Sequence, residues 1–132
     1  MREILFRGKR EDNGEWVEGY YCYNPLMKRS EIFSFDENRS YVYKVIPETV
    51  GQYTGLTDNN GERIWEGDIV RCKQERGNEG ICVVREFNGS FLACPITGNL
   101  LEMTLYSYWY NDYDLVEIIG NETDNPELLK GE

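Results

Sequence analysis

The sequence predicts a mainly β protein, in which an N-terminal β-hairpin layer precedes a small barrel, with at most one or two short helices. Runs rich in Val, Ile, Tyr, Phe and Trp alternate with turn residues at a spacing of roughly 8–12 positions, which is typical of all-β folds. Hydrophobic residues make up 40% of the chain and aromatic residues 14%, which is enough apolar material for a packed core. With 132 residues, the chain is expected to form a single domain.

Four strands are predicted in the hairpin layer. The first two flank an Asn-Gly pair at positions 13 and 14, because both residue types tolerate the positive φ of a tight hairpin turn. The second strand is apolar or aromatic on both faces, with Trp16 and Tyr20 on one face and Tyr21 on the other. Such a strand needs cover on both sides, which predicts a homo-oligomer. The four predicted strands are Glu3–Gly8, Glu15–Tyr23, Glu31–Phe35 and Tyr41–Ile46.

The barrel is expected to follow the hairpin layer. Its predicted strands are Thr49–Thr54, Asp68–Gln74, Gly80–Phe87, Ser90–Ile96 and Asp114–Ile119, and the last of these is expected to close it. The stretch Leu100–Tyr113 has no clear period, so we expect irregular structure with one helical turn there. The whole chain, 1–132, is thus predicted to be one domain of three parts: a hairpin layer (1–46), a barrel core (47–121) and a C-terminal tail (122–132).

Composition excludes several kinds of site. The chain has no histidine, which rules out Ser-His and Cys-His catalysis and His-ligated metals. Its formal net charge is −10, and residues 101–132 carry 8 acidic residues and one basic residue, which disfavours non-specific binding to nucleic acid. The acid-rich segment Asp58–Asp68 does not fit the EF-hand spacing. We therefore expect no metal and no cofactor.

Hydropathy and cysteine usage indicate the compartment. No apolar run approaches the roughly 18 residues of a membrane span, and the first residues lack the apolar stretch of a signal peptide. The four cysteines form no Cys-x-x-Cys pair, and free thiols in apolar strands are typical of a reducing compartment. The spacing is also compatible with a cross-strand contact between Cys72 and Cys82. We expect a cytoplasmic protein that does not bind membranes.

Three sets of residues are candidates for function. The candidate interaction surface consists of aromatic residues, which are favoured at protein–protein contacts: Trp16, Tyr20, Tyr106, Tyr108, Trp109 and Tyr110. An alternative function, nucleic-acid binding by the small β-barrel, would use basic residues of the neutral middle of the chain: Arg71, Lys73, Arg76 and Arg85. A second alternative, hydrolysis by paired carboxylates, would use Glu66 with Asp68, or Asp112 with Asp114, each pair projecting to one strand face.

Four parts of the chain together resemble one protein family. They are Arg2–Gly8 with Trp16–Tyr20, Pro47–Leu56 (PETVGQYTGL), Trp65–Val70 (WEGDIV), and Ile119–Asn121 followed by Asp124–Leu129. The pattern is similar to that of the YopX family from end to end. This resemblance implies a mostly β protein encoded by phages and prophages, chiefly of Gram-positive bacteria, with no established catalytic residues. The Glu66–Val70 stretch also resembles the entry into a strand of an SH3-like barrel, so the expected barrel is of that kind.

These observations favour a non-enzymatic interaction module. We expect an acidic phage or prophage accessory protein that acts in the cytoplasm of the bacterial host. Its expected partners are a second copy of the chain and a host or phage protein. Specificity for the partner is expected in the two segments outside the resemblance, Asn24–Ser40 and Leu100–Asp112.

Overall fold

The computed structural model describes residues 3–74, 77–110 and 115–130, and most of them lie in strands. The described strands are β1 (Phe6–Lys9), β2 (Trp16–Asn24), β3 (Arg29–Phe35), β4 (Ser40–Val45), β5 (Gly51–Thr57), β6 (Arg63–Trp65), β7 (Asp68–Lys73), β8 (Glu79–Phe87), β9 (Ser90–Gly98), β10 (Met103–Thr104) and β11 (Leu115–Asn121). The helices of this described part are α1 (Leu105–Tyr110) and two 3₁₀ helices, Pro47–Thr49 and Pro126–Lys130. The strands form two antiparallel sheets, with the orders β4-β3-β2-β1-β5-β6 and β10-β9-β8-β7-β11.

Spatial contacts divide the chain into two compact units, Met1–Tyr53 and Thr54–Glu132. The first unit holds β1–β4 and the beginning of β5, where Gly51 and Gln52 pair with β1. The second unit holds the rest of β5, β6–β11 and α1. The predicted division into a hairpin layer, a barrel core and a tail stays a prediction.

The four strands of the first unit are consecutive antiparallel neighbours. The two outer strands also meet at one end, where Arg10 forms an isolated bridge with Val45. Ile32 and Val45 lie on the same face and are 0% and 1% exposed, so this face forms the core of the unit. A Cβ at Gly8 would lie 3.2 Å from the Cβ of Val45, so the missing side chain makes room for the valine.

The core of the second unit lies on one face of the second sheet, where cross-strand pairs place apolar side chains opposite one another. Its buried members are Ile64, Val70, Cys72, Cys82, Val84, Ala93, Leu100, Leu105 and Val116. Proline is normally excluded from a strand that has neighbours on both sides. Pro95 is tolerated in β9 because the register shifts beside it, between the Ile81–Thr97 and Cys82–Pro95 pairs.

A buried carboxylate fixes the turn between β5 and β6. The Oδ1 atom of Asp58 accepts the backbone N–H groups of Asn60 and Glu62, both at 2.9 Å. Its Oδ2 atom accepts the N–H of Ile118 in β11 at 3.1 Å. The oxygen-rich segment that begins at Asp58 therefore uses this carboxylate to hold backbone donors, which are costly to bury without a partner.

The structure confirms the mainly β class and the small helical content. The expected SH3-like barrel is not present, because neither of the described sheets closes: β11 pairs with β7, and the opposite edge is the two-residue strand β10. Two short strands, β6 and β10, were not expected from the sequence, because so few residues carry no detectable alternation. Within the described ranges, none of the helices has the length and apolar character needed to cross a bilayer.

The close approach of β2 to β3 at Gly19 predicts a strong effect of a small substitution. A Cβ at Gly19 would lie 2.0 Å from the carbonyl oxygen of Phe33, so Gly19→Ala must push two paired strands apart. We expect a loss of about 2–3 kcal/mol in the free energy of unfolding, measured by chemical denaturation.

Gly14→Ala is the matched control for this test. Gly14 has a φ of +73°, but a Cβ added there would meet no atom within 4 Å, so only backbone strain of about 1 kcal/mol is expected. An equal or smaller loss for Gly19→Ala than for Gly14→Ala would contradict the prediction.

Candidate protein-interaction surface

An exposed apolar patch covers one face of the β2-β3-β4 sheet. Tyr20 pairs directly with Phe33, and Phe33 pairs with Val42, so these three side chains form one row across three strands. Phe35 lies two residues further along β3 on the same face, and its ring centroid is 5.8 Å from that of Tyr20. We call Tyr20, Phe33, Phe35 and Val42 the apolar patch.

The patch lies on the face opposite the core of the first unit. Tyr20, Phe35 and Val42 expose 57%, 60% and 50% of their surface, whereas Ile32 and Val45 on the other face are buried. An antiparallel sheet with one covered face normally carries polar side chains on the other. A cluster of large apolar side chains on the open face is therefore informative, because such clusters mark binding surfaces.

Charged and polar groups lie beside the patch on the same face. Arg29 forms an ion pair of 2.7 Å with Glu31, whose other oxygen accepts a hydrogen bond from the Asn24 side chain at 3.2 Å. Trp16 lies further along β2, where the Arg7 guanidinium and the Lys9 ammonium are 4.6 and 5.4 Å from its ring centroid. An apolar centre with polar neighbours is the usual anatomy of a protein–protein interface.

The structure brings together only part of the predicted interaction surface. Tyr20 is in the apolar patch, and Trp16 lies on the same strand under its two cations. Tyr106 is 54% exposed but belongs to α1, in the second unit. The side chains of the other three predicted residues, Tyr108, Trp109 and Tyr110, lie outside the described part of the structure.

Three members of the patch were not predicted. Phe33 and Phe35 fall within Asn24–Ser40, the segment in which partner specificity was expected, and their i, i+2 spacing in a strand already places them on one face. Val42 shows the same alternation in β4. What the sequence could not provide was the pairing register that aligns these strands with Tyr20.

A family model, described as YopX protein, matches residues 5–130, which is nearly the whole chain. The chain belongs to the YopX family. Its fold is similar to that in the crystal structure of protein EF1440 from Enterococcus faecalis, with a TM-score of 0.58 and 21% sequence identity, over 98% of this chain and 99% of that one. A search of curated proteins found no match.

The basic residues of the nucleic-acid alternative are partly neutralised in this YopX chain. Arg71 lies 3.6 Å from the Glu117 carboxylate, and Arg85 forms an ion pair with Glu122. Lys73 is exposed at the end of β7. Arg76 lies outside the described residues. Two of the four cations therefore have carboxylate neighbours that would compete with a phosphate group.

One carboxylate pair of the hydrolase alternative, Glu66 with Asp68, does not share a strand face, which corrects the expectation for that pair. Glu66 lies in the turn between β6 and β7, whereas Asp68 begins β7, is 2% exposed and accepts the Trp65 N–H at 2.8 Å. The turn separates the pair because Gly67, with a φ of +91°, breaks the strand alternation. Asp112 and Asp114 lie outside the described residues. The described ranges contain no cluster of three or more metal-ligating side chains.

The four cysteines are free thiols that differ in exposure: one is exposed, two are buried and one is intermediate. Cys22 is exposed on the patch face of β2, whereas Cys72 and Cys82 are buried diagonal neighbours on β7 and β8. A hydrogen bond with the Cys72 thiol lowers the pKa of Cys82, against the effect of burial. Burial, followed by the negative charge of Glu102, raises the pKa of Cys94.

These environments predict that one thiol per chain reacts rapidly with a thiol reagent. In the folded protein at about pH 8, we expect Ellman's reagent to react rapidly with Cys22 alone, because Cys72 and Cys82 are inaccessible and Cys94 holds less thiolate than an ordinary thiol. Cys22→Ser should remove the fast phase and Cys94→Ser should leave it. A fast phase that survives in Cys22→Ser would refute the assignment.

Proposed function

We propose that this YopX-family protein is a non-enzymatic accessory protein of a phage or prophage, which acts in the host cytoplasm by binding a host or phage protein. The observation that carries the proposal is the apolar patch, in which three large side chains are half exposed or more on adjacent paired strands. The proposal that a phage or prophage encodes the protein rests on the family resemblance. The free thiols, two of them buried, support a reducing compartment.

The chemistry of the patch favours a protein partner. Tyr and Phe bury large areas at a small cost in side-chain entropy, and aromatic residues are enriched at the centres of interfaces. The strands hold the patch residues in fixed register, so little ordering is needed on binding. A partner with a complementary apolar surface would cover the patch, and its polar groups would meet Arg29, whose side chain is one third exposed.

The charge distribution also supports a protein partner over a nucleic acid. The second unit carries 15 acidic and 6 basic residues, whereas the first carries 9 acidic and 8 basic residues. A phosphate backbone would be repelled by the second unit. The first unit, which presents the apolar patch, is close to neutral, so its apolar contacts are not opposed by a large net charge.

The proposal predicts that partner capture depends on the patch. The double variant Tyr20→Ser, Phe35→Ser removes two exposed rings without opening a buried site, so it should remain folded. We expect at least about a tenfold loss of the protein that the wild-type chain enriches from a lysate of infected or lysogenic host cells. The measurement is quantitative mass spectrometry of the captured proteins at low and high salt.

Phe87→Ser is the matched control for this experiment. Phe87 is 64% exposed, close to the 60% of Phe35, but lies in β8 of the second unit. The same partner should be retained by Phe87→Ser at both salt concentrations. Equal capture by the double variant would contradict the proposal, and recovery of nucleic acid alone, only at low salt, would favour the alternative function.

A further inference from the structure

Cys72 and Cys82 form a pair of buried thiols in the core of the second unit. Cys72 lies opposite Gly80 and Cys82 lies opposite Val70, so the two cysteines are diagonal neighbours on one face of β7 and β8. Both are 0% exposed and both belong to the core cluster of this unit. A buried thiol usually serves as a small apolar side chain, but two thiols on adjacent strands also have the chemistry to form a disulfide.

No side chain lies directly across the strand pair from Cys72. A Cβ at Gly80 would lie 2.1 Å from the carbonyl oxygen of Thr97, so the close approach of β9 excludes a side chain at that position. Directly opposed residues are normally the nearest cross-strand neighbours, and for Cys72 this neighbour is a glycine. The Cys72 thiol instead contacts its diagonal neighbour, through the hydrogen bond that lowers the pKa of Cys82.

The ladder that holds β8 is irregular at Cys82. The residue opposite Cys82 in β9 is Pro95, which has no N–H to donate, and the register shifts between Ile81 and Cys82. The Cα atoms of diagonal neighbours are usually about 7–8 Å apart, whereas those of a disulfide are usually about 4.4–6.8 Å apart. Formation of the bond therefore requires the two strands to shift by about 1 Å, and the irregular ladder beside Cys82 allows such a shift.

The two cysteines share their core cluster with the least paired part of the second sheet. Leu100 and Leu105 pack in this cluster, on either side of β10 in the chain. β10 makes two cross-strand pairs with β9, and α1 is six residues long. Elements with so few backbone bonds open locally at a low cost in free energy, while the rest of the domain stays folded. Such opening admits a small oxidant to thiols that are buried in the closed state.

We propose that Cys72 and Cys82 are a redox-active pair, which a peroxide oxidises to a reversible disulfide within the folded second unit. The Cys82 thiolate attacks one oxygen of hydrogen peroxide and the O–O bond breaks, which gives the sulfenic acid of Cys82 and, with the thiol proton, one water. The Cys72 sulfur then attacks the Cys82 sulfur, the S–O bond breaks, and a second water leaves with the Cys72 proton. Two electrons pass from the sulfurs to the peroxide.

The required strand shift makes this disulfide suited to a reducing compartment. Strained disulfides are reduced more easily than structural ones, which resist the glutathione pool. The pair would therefore respond to an oxidant and return to the dithiol afterwards, as cytosolic disulfides that sense redox conditions do. This inference goes beyond the proposed function, which depends on the apolar patch of the first unit.

Intact mass spectrometry tests the reaction in the variant Cys22→Ser, Cys94→Ser, which keeps only the two buried thiols. After treatment of the folded variant with hydrogen peroxide, we expect a mass lower by two hydrogen atoms and no link between copies on a non-reducing gel. Millimolar glutathione should restore both thiols. An unchanged mass, a mass raised by oxygen atoms, a link between copies, or a disulfide that resists glutathione would each overturn the proposal.

The matched control moves one thiol along the same strand. Cys82→Val, Val84→Cys, added to the same background, exchanges two buried residues and leaves the composition unchanged. Position 84 is two residues further from Cys72 along β8, outside disulfide reach in the folded state, whereas the loop between the thiols in the unfolded chain has nearly the same length. We expect the disulfide to form at least about tenfold more slowly than in the parent variant. Equal rates would contradict a reaction within the folded unit.

Denaturant dependence gives a second test, which does not require the exchange variant to fold. Concentrations well below the unfolding transition should leave the oxidation rate of the parent variant nearly unchanged, because local opening exposes little surface. A rate that rises as steeply as the unfolded fraction would mean that the thiols react only in the unfolded chain, and the proposal would then be wrong.

Discussion

The antiparallel register of β2, β3 and β4 is the constraint on which the described surface of the first unit depends. Pairing Tyr20 with Phe33 and Phe33 with Val42 sends these side chains to the open face, and the same register sends Ile32 and Val45 to the core. A slip of one residue would exchange the two sets, burying charges and exposing the core. Gly19 allows β2 to approach β3 closely where this pairing begins, so one missing side chain supports both the packing and the candidate binding surface.

The second unit uses its polar groups differently. Its buried carboxylates bond to backbone donors: Asp58 holds the turn before β6 and reaches β11, and Asp68 accepts the N–H of Trp65. Two of the arginines that suggested nucleic-acid binding have acidic neighbours: Arg71 has Glu117 on the adjacent strand β11, and Arg85 has Glu122 in the turn after β11. The buried carboxylates Asp58 and Asp68 therefore contribute to structure, because burial of a backbone donor or a charge demands a partner.

The candidate site was only partly predictable. Aromatic content and the two-sided apolar character of β2 pointed to Tyr20 and Trp16, yet the two residues have different environments. Arg7 and Lys9 lie over the Trp16 ring, whereas Tyr20 joins Phe33 and Phe35. Local sequence could not distinguish them, because the difference comes from which residues of β1 and β3 lie opposite each one. The carboxylate pair at Glu66 and Asp68 failed for a related reason: a turn at Gly67 interrupts the alternation on which that expectation depended.

Sequence alone determined the fold class, most of the strands, the free thiols and the family. These follow from local signals: alternating apolar residues, Asn-Gly turns, cysteine spacing and short motifs that can be recognised without knowing which residues are in contact. Tertiary structure decided that neither of the described sheets closes and that the apolar patch lies on β2, β3 and β4. Each of these depends on which strands become neighbours and in what register. That choice is made by the packing of residues far apart in the chain, which a local pattern does not encode.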